Sequence, residues 1–86
     1  MRTTLTATDG VRLAVDCHST EGPTVVLVHG FPDTSRVWDE VIDAMTPWAR
    51  VITYDVRGAG DSGRPRSRDG YRFAQLAADL VTVLDH

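Results

Sequence analysis

The sequence contains no lysine; all nine basic residues are arginine. Arginine has GC-rich codons, so this bias suits a GC-rich bacterial genome and says nothing about chemistry. Basic charge is also in the minority. Twelve acids leave a formal net charge of −3, which supplies no cationic field for nucleic acid or an anionic membrane. Neither partner is expected. A single cysteine, Cys17, excludes an internal disulfide. Cys17 reads as a small strand residue, because its neighbour His18 would point to the opposite face and could not activate its thiol. No apolar run is long enough to cross a membrane as a helix. The start, "MRTTLTATDG", lacks the apolar segment of a signal peptide, so the expected location is cytoplasmic. With 86 residues the chain has room for one small domain, residues 1–86. A domain of that size buries only about 60% of the surface its unfolded chain exposes, so its stability margin is thin.

What is present is an alternation of strands and helices. Residues 3–8 and 11–17 flank Asp9-Gly10, a strong hairpin signal. "TVVLVHG", 24–30, is a continuous apolar, β-branched run, as expected of a strand buried on both faces of a parallel sheet. In "TSRVWDEVIDAMTPW", residues Val37, Trp38, Val41, Ile42 and Met45 fall on one helical face. Thr34 or Ser35 can cap that helix, Pro47 closes it, and Trp38 belongs to the core. "RVITYDVRG", 50–58, is a further strand. Phe73, Leu76, Ala77, Leu80, Val81 and Leu84 then mark a helix over 73–85, with Arg72 a poor cap and Asp85 and His86 solvated at its end. The class is α/β: a β-hairpin followed by a β-α-β-α unit whose two strands pair in parallel through a right-handed crossover.

The stretch "YDVRGAGDSGRP", 54–65, admits three readings. Its G-x-G-x-x-G (Gly58, Gly60, Gly63) suggests a dinucleotide cradle, but that needs a helix opening at the third glycine. Here "RPRSRDG" intervenes, and without Gly-Lys-Ser/Thr there is no phosphate loop either. No cofactor and no metal are therefore expected. Gly-Asp-Ser-Gly with His29 and Asp55 gives the His, Asp, Ser order of trypsin-like proteases. A triad is defined by geometry, however, and an alternating α/β chain is not a pair of β-barrels. The third reading is a turn at the carboxyl edge of the sheet, where open α/β folds bind ligands. Asp55 and Arg57 then either shape the site or touch substrate.

Two segments together, "VVLVHGFPDTSRVW" and "VITYDVRGAGDSGRP", resemble the first third of the α/β-hydrolase superfamily. The His-Gly-Phe-Pro form is most similar to the epoxide hydrolase and haloalkane dehalogenase branch. Asp-x-Arg-Gly-x-Gly-x-Ser is matched at Asp55, Arg57, Gly58, Gly60 and Ser62. The resemblance implies that the backbone N–H of Phe31 is half of an oxyanion hole. Pro32 has no N–H; it would hold Phe31 extended across a bond that is often cis in relatives. His29 and Gly30 would shape that loop rather than act as base.

By the same resemblance, relatives carry a nucleophile elbow, an acid, a catalytic histidine and a cap farther along the chain. None has a counterpart in this sequence, which holds no G-x-S-x-G and no elbow with aspartate in its place. The expectation is an incomplete α/β-hydrolase fold, inactive alone, from a parent that hydrolyses a small organic substrate through a covalent enzyme intermediate; an epoxide hydrolase-like parent with an aspartate nucleophile is expected first, and an esterase- or peroxidase-like one with a serine is the closest variant. Some related actinobacterial proteins fuse this domain to a short-chain dehydrogenase, which would make such a parent bifunctional. By the same resemblance, "VVLVH", 25–29, would present a bare apolar edge. The alternative function is a non-catalytic module that pairs through that edge.

Overall fold

A computed structural model describes residues 1–86. The strands are β1 (Arg2–Thr6), β2 (Arg12–Cys17), β3 (Thr24–Val28) and β4 (Arg50–Tyr54). The α-helices are α1 (Asp39–Met45) and α2 (Phe73–Leu84). The strands form one sheet in the order β1-β2-β4-β3, with β3 and β4 parallel and the other pairs antiparallel. The parallel register sets Thr24 beside Arg50 and Val28 beside Tyr54. β3 lies at one edge of this sheet.

The hairpin strands are shorter than expected because Ala7 and Val11 close the turn. Ala7 N–H donates to Val11 at 2.8 Å, Gly10 N–H donates to Ala7 at 2.9 Å, and Gly10 takes φ of +90°. Asp9 stays at negative φ, so the connection is a three-residue loop with a left-handed glycine rather than a two-residue turn. β4 also ends earlier than expected, at Tyr54: Asp55 N–H still donates to the Ala14 carbonyl of β2 at 3.0 Å, but Val56 N–H turns away to His29.

The helix expected over 34–48 starts as a 3-10 turn, Ser35–Trp38, capped by the Thr34 hydroxyl, which accepts from Arg36 N–H. The tighter turn shifts the phase of the apolar positions. Ile42 is buried and Trp38 and Met45 pack beside it, whereas Val37 and Val41 face out. Trp38 is thus core, as expected, although its indole N–H has no partner.

α2 occupies the expected residues and lacks a side-chain cap at Arg72. Its orientation differs from expectation. Val83 and Asp79 point into the core, while Phe73, Val81 and Leu84 of the expected stripe are exposed. The main core joins Leu13, Val15, Ile52, Tyr54 and Val83 on the α2 side; Ile42, Ala49 and Val51 form a second cluster on the α1 side.

Candidate functional site

Three segments meet at the carboxyl ends of β3 and β4. They are the loop 29–34, the loop 55–63 and the start of α2. Together they line a cleft of about 860 Å³ that includes Val28, Phe31, Tyr54, Tyr71, Leu76 and Leu80.

The first two segments are latched reciprocally. His29, at the end of β3, accepts from Val56 N–H at Nε2, 2.9 Å away, so its proton sits on Nδ1, 3.1 Å from the Gly30 carbonyl. Asp55, at the end of β4, returns the bond: its Oδ1 accepts from Ser35 N–H at 2.9 Å. Its Oδ2 accepts from Asp61 N–H at 3.0 Å and lies 4.0 Å from the Arg2 guanidinium. Burial pushes the Asp55 carboxyl up, but the bonds from Asp61 and Ser35 and the charge of Arg2 outweigh it and hold the pKa below the usual range.

Ser62 works in the same joint. Its hydroxyl donates to the Asp55 carbonyl at 2.5 Å and accepts from Ala14 N–H at 2.9 Å. His29, Asp55 and Ser62 thus each bond to backbone, and the protease order in the sequence corresponds to no triad. Gly63 opens no helix either; a 3-10 turn at Arg68–Tyr71 intervenes before α2. The glycine stretch is a turn, and Gly60 shows why it needs glycine: its φ is +48°, and a Cβ there would collide with the Asp55 carboxylate.

Of the two residues weighed as substrate contacts, Arg57 borders the cleft but is engaged by other residues of the chain. Its side chain has no exposure. It donates to Asp79 at 2.7 and 2.8 Å, to Asp9 at 2.8 and 3.0 Å, and to the Gly70 carbonyl at 2.7 Å. The bonds to Asp9 and Asp79 raise its pKa further above the already high arginine value. Sequence reasoning missed both carboxylate partners. The available signal was an aspartate inside the apolar run "FAQLAADLVTVL".

Phe31 is the residue left free. The residue is 98% exposed, its backbone N–H has no partner in the chain, and its bond to Pro32 is cis, in keeping with the resemblance. Gly30 and Pro32 flank that donor, and Gly30 O accepts from Asp33 N–H at 2.9 Å, closing the turn. A free donor at the mouth of a largely apolar cleft can stabilise negative charge developing on a bound oxygen.

The fold and the two matched segments define an α/β-hydrolase. Residues 23–86 match the family model for the alpha/beta hydrolase fold, and the chain belongs to that family. It is 44% identical over 77 residues to a protein named probable oxidoreductase EphD from Mycobacterium tuberculosis, covering 88% of this chain and 13% of that one. It is 40% identical over 83 residues to epoxide hydrolase A of the same organism, covering 94% of this chain and 26% of that one. Among solved structures, epoxide hydrolase VrEH1 from Vigna radiata superposes with a TM-score of 0.90 at 31% identity, covering 99% of this chain and 27% of that one. The chain therefore spans between about one eighth and just over one quarter of the length of these relatives.

Proposed function

We propose that this chain is the N-terminal portion of an epoxide hydrolase-like enzyme and contributes half of its oxyanion hole through Phe31 N–H. The observation that carries the reading is that unpartnered N–H, fixed at the mouth of an apolar cleft by the His29 and Asp55 latches. Support also comes from relatives named as epoxide hydrolases.

In this reading a small epoxide-bearing molecule lies against Val28, Phe31 and Leu80. An aspartate on the elbow of the parent attacks a ring carbon and breaks its C–O bond, giving an alkyl-enzyme ester and an alkoxide that takes up a proton. Histidine-activated water then attacks the ester carbonyl, and Phe31 N–H donates to the oxyanion of that tetrahedral intermediate. Removing one such donor lowers kcat by about 10²–10³ in other acyl-transfer sites. Gly30 and Pro32 set the donor's direction, and His29 and Asp55 are positioning residues. Arg57 holds the loop from behind. The 86-residue chain alone supplies no nucleophile and is expected to be inactive. The reading keeps the cytoplasmic location expected from the sequence.

The test is to recover the native protein with an antibody to this segment, measure its intact mass, and assay it on epoxides and activated esters. The expected result is a mass well above 9.4 kDa with epoxide opening and an aspartyl ester trapped on the elbow. A larger protein that cleaves only esters and is labelled on serine by phosphonates would overturn the epoxide assignment. A 9.4 kDa product would overturn the parent enzyme itself.

A further inference from the structure

The loop that carries Phe31 is pinned at both ends. His29 holds one end through Val56 N–H, and Asp55 holds the other through Ser35 N–H. Asp55 is 3% exposed, so a buried carboxylate sets the far anchor of the loop. Asp55 does not line the cleft that holds Phe31. It lines a second, polar cavity of about 460 Å³ beside α1, and Thr34 and Gly60 border both spaces.

That cavity contains a relay that begins on β1. The register pairs Arg2 with Asp16 of β2. Arg2 Nε donates to the two Asp16 oxygens at 3.3 and 3.2 Å, and Nη2 donates to one of them at 2.8 Å, which fixes the plane of the guanidinium. The remaining arm, Nη1, donates to the Asp61 carboxylate at 2.5 Å. Asp61 in turn gives its backbone N–H to Asp55 at 3.0 Å. Nη2 of Arg2 also stands 4.0 Å from Asp55 itself.

Three carboxylates, Asp16, Asp55 and Asp61, thus face one guanidinium, and none of them has another cation within 4.0 Å. His18, Arg36 and Asp39 line the same cavity. His18 bonds to Thr53 instead, and neither Arg36 nor Asp39 pairs with any of the three. The Arg2 and Asp61 side chains are 41% and 78% exposed, so their pair adds little to stability. What it contributes is direction. A planar fork with two fixed partners admits one orientation, and Asp61 passes that orientation to Asp55.

We propose that Arg2 is a positioning residue for the oxyanion donor, acting through Asp61 and Asp55 on the end of the loop that presents Phe31 N–H. The inference rests on the reading of Phe31 as that donor. Every member of the relay lies between Arg2 and Asp61, within the first four strands and the turn that follows them. Without Arg2, three carboxylates crowd the anchor with no cation among them. Asp61 is then pushed off its position, and Asp55 takes up a proton more readily and accepts more weakly from Ser35 N–H.

The experiment compares the intact parent enzyme with its Arg2→Ala, Arg2→Lys and Asp61→Asn variants, with rates counted per active site trapped as the covalent intermediate. Arg2→Ala should lower kcat roughly three- to tenfold with KM unchanged, because the donor acts in the transition state and not on bound substrate. The loss falls short of the roughly 10²–10³ that follows removal of a donor outright, since the N–H itself remains. The acid limb of the kcat profile should also move to higher pH. Burial raises the Asp55 carboxyl, and the bonds from Asp61 and Ser35 and the charge of Arg2 together hold it down. With Arg2 gone its folded value rises, so the anchor is lost sooner as pH falls. A general loosening of the fold would scale kcat at every pH and leave that limb in place. Arg2→Lys keeps the charge without the fork and should recover the limb but only part of kcat. Asp61→Asn covers the case in which the Arg2 variants fail to fold; it keeps the backbone N–H to Asp55, breaks the tie to Arg2, and should also lower kcat. In the 86-residue chain the amide resonances of Phe31 and Ser35 should shift in Arg2→Ala, whatever reaction the parent runs. Failure of the parent reading would show in the unaltered enzyme as absent epoxide opening, whereas failure of the relay shows only in the variants. Unchanged kcat in Arg2→Ala overturns the proposal, and so does an acid limb that stays where it was.

Discussion

Arg57 and Asp79 meet in two hydrogen bonds of 2.7 and 2.8 Å, with side chains 0% and 2% exposed. The same guanidinium reaches Asp9 in the hairpin loop and the carbonyl of Gly70 ahead of α2. One side chain thus ties the loop of β1 and β2, the glycine turn and α2 together. Leaving one member of such a pair buried without the other costs about 3–5 kcal/mol, a large share of the stability of a small domain. Asp79→Ala should therefore abolish a cooperative urea transition or move it far toward zero denaturant. The double change Arg57→Met with Asp79→Leu should cost clearly less than the sum of the two single changes. Strictly additive losses would refute the coupling.

Acid should loosen the same joint. Bonds from Arg57 hold the Asp9 carboxyl down at about 2, and Asp55 is also lowered. Both folded values lie below the unfolded value of about 4. Their contribution is then complete above pH ~5 and is lost as pH falls toward 2, because the unfolded chain takes up protons first. Urea midpoints measured from pH 6 to pH 2 should fall steadily. Asp9→Asn should flatten part of that slope, and an unchanged slope would mean that Asp9 is not paired in solution.

These two joints also mark where the sequence was legible and where it was not. Each strand and helix announced itself by period and by turn residues, since those signals are local. The direction faced by α2 did not. Its strongest apolar stripe borders the cleft beside Val28, while Asp79 turns inward because Arg57, 22 residues away, awaits it. At the site, the His-Gly-Phe-Pro pattern pointed to Phe31 through resemblance alone. Nothing in the spacing reveals that Asp55 spends both oxygens on the N–H groups of Ser35 and Asp61. Long-range pairing of polar groups comes from the fold and is invisible to periodicity.

Two glycines separate conformational strain from close contact. Gly10 has φ of +90°, but a Cβ there meets nothing within 4 Å. Gly10→Ala should carry only the left-handed penalty of roughly 1–2 kcal/mol. At Gly60 a Cβ would strike the Asp55 carboxylate as well. Gly60→Ala should therefore be the more damaging, and it should also disturb the amide resonances of Ser35 and Asp61, which Asp55 holds. Equal losses at the two positions, with those resonances unmoved, would show that Asp55 does not occupy that space.

Base should act through Tyr54. Burial first, and the nearby Asp79 charge second, push its hydroxyl up to about 12. The residue is 3% exposed, packed among Leu13, Val15 and Ile52 in the main core. An unfolded tyrosine titrates near pH ~10, so the folded chain retains this proton longer than the unfolded one. Stability from that difference is fully present below pH ~10 and disappears as pH rises through about 12. Tyrosinate absorbance should show Tyr54 titrating late and together with loss of the near-ultraviolet dichroism of the folded core. Tyr54→Phe keeps the ring and removes the proton, so it should push alkaline unfolding to higher pH. If the variant unfolds in base at the same pH as the parent chain, the alkaline transition belongs to another group.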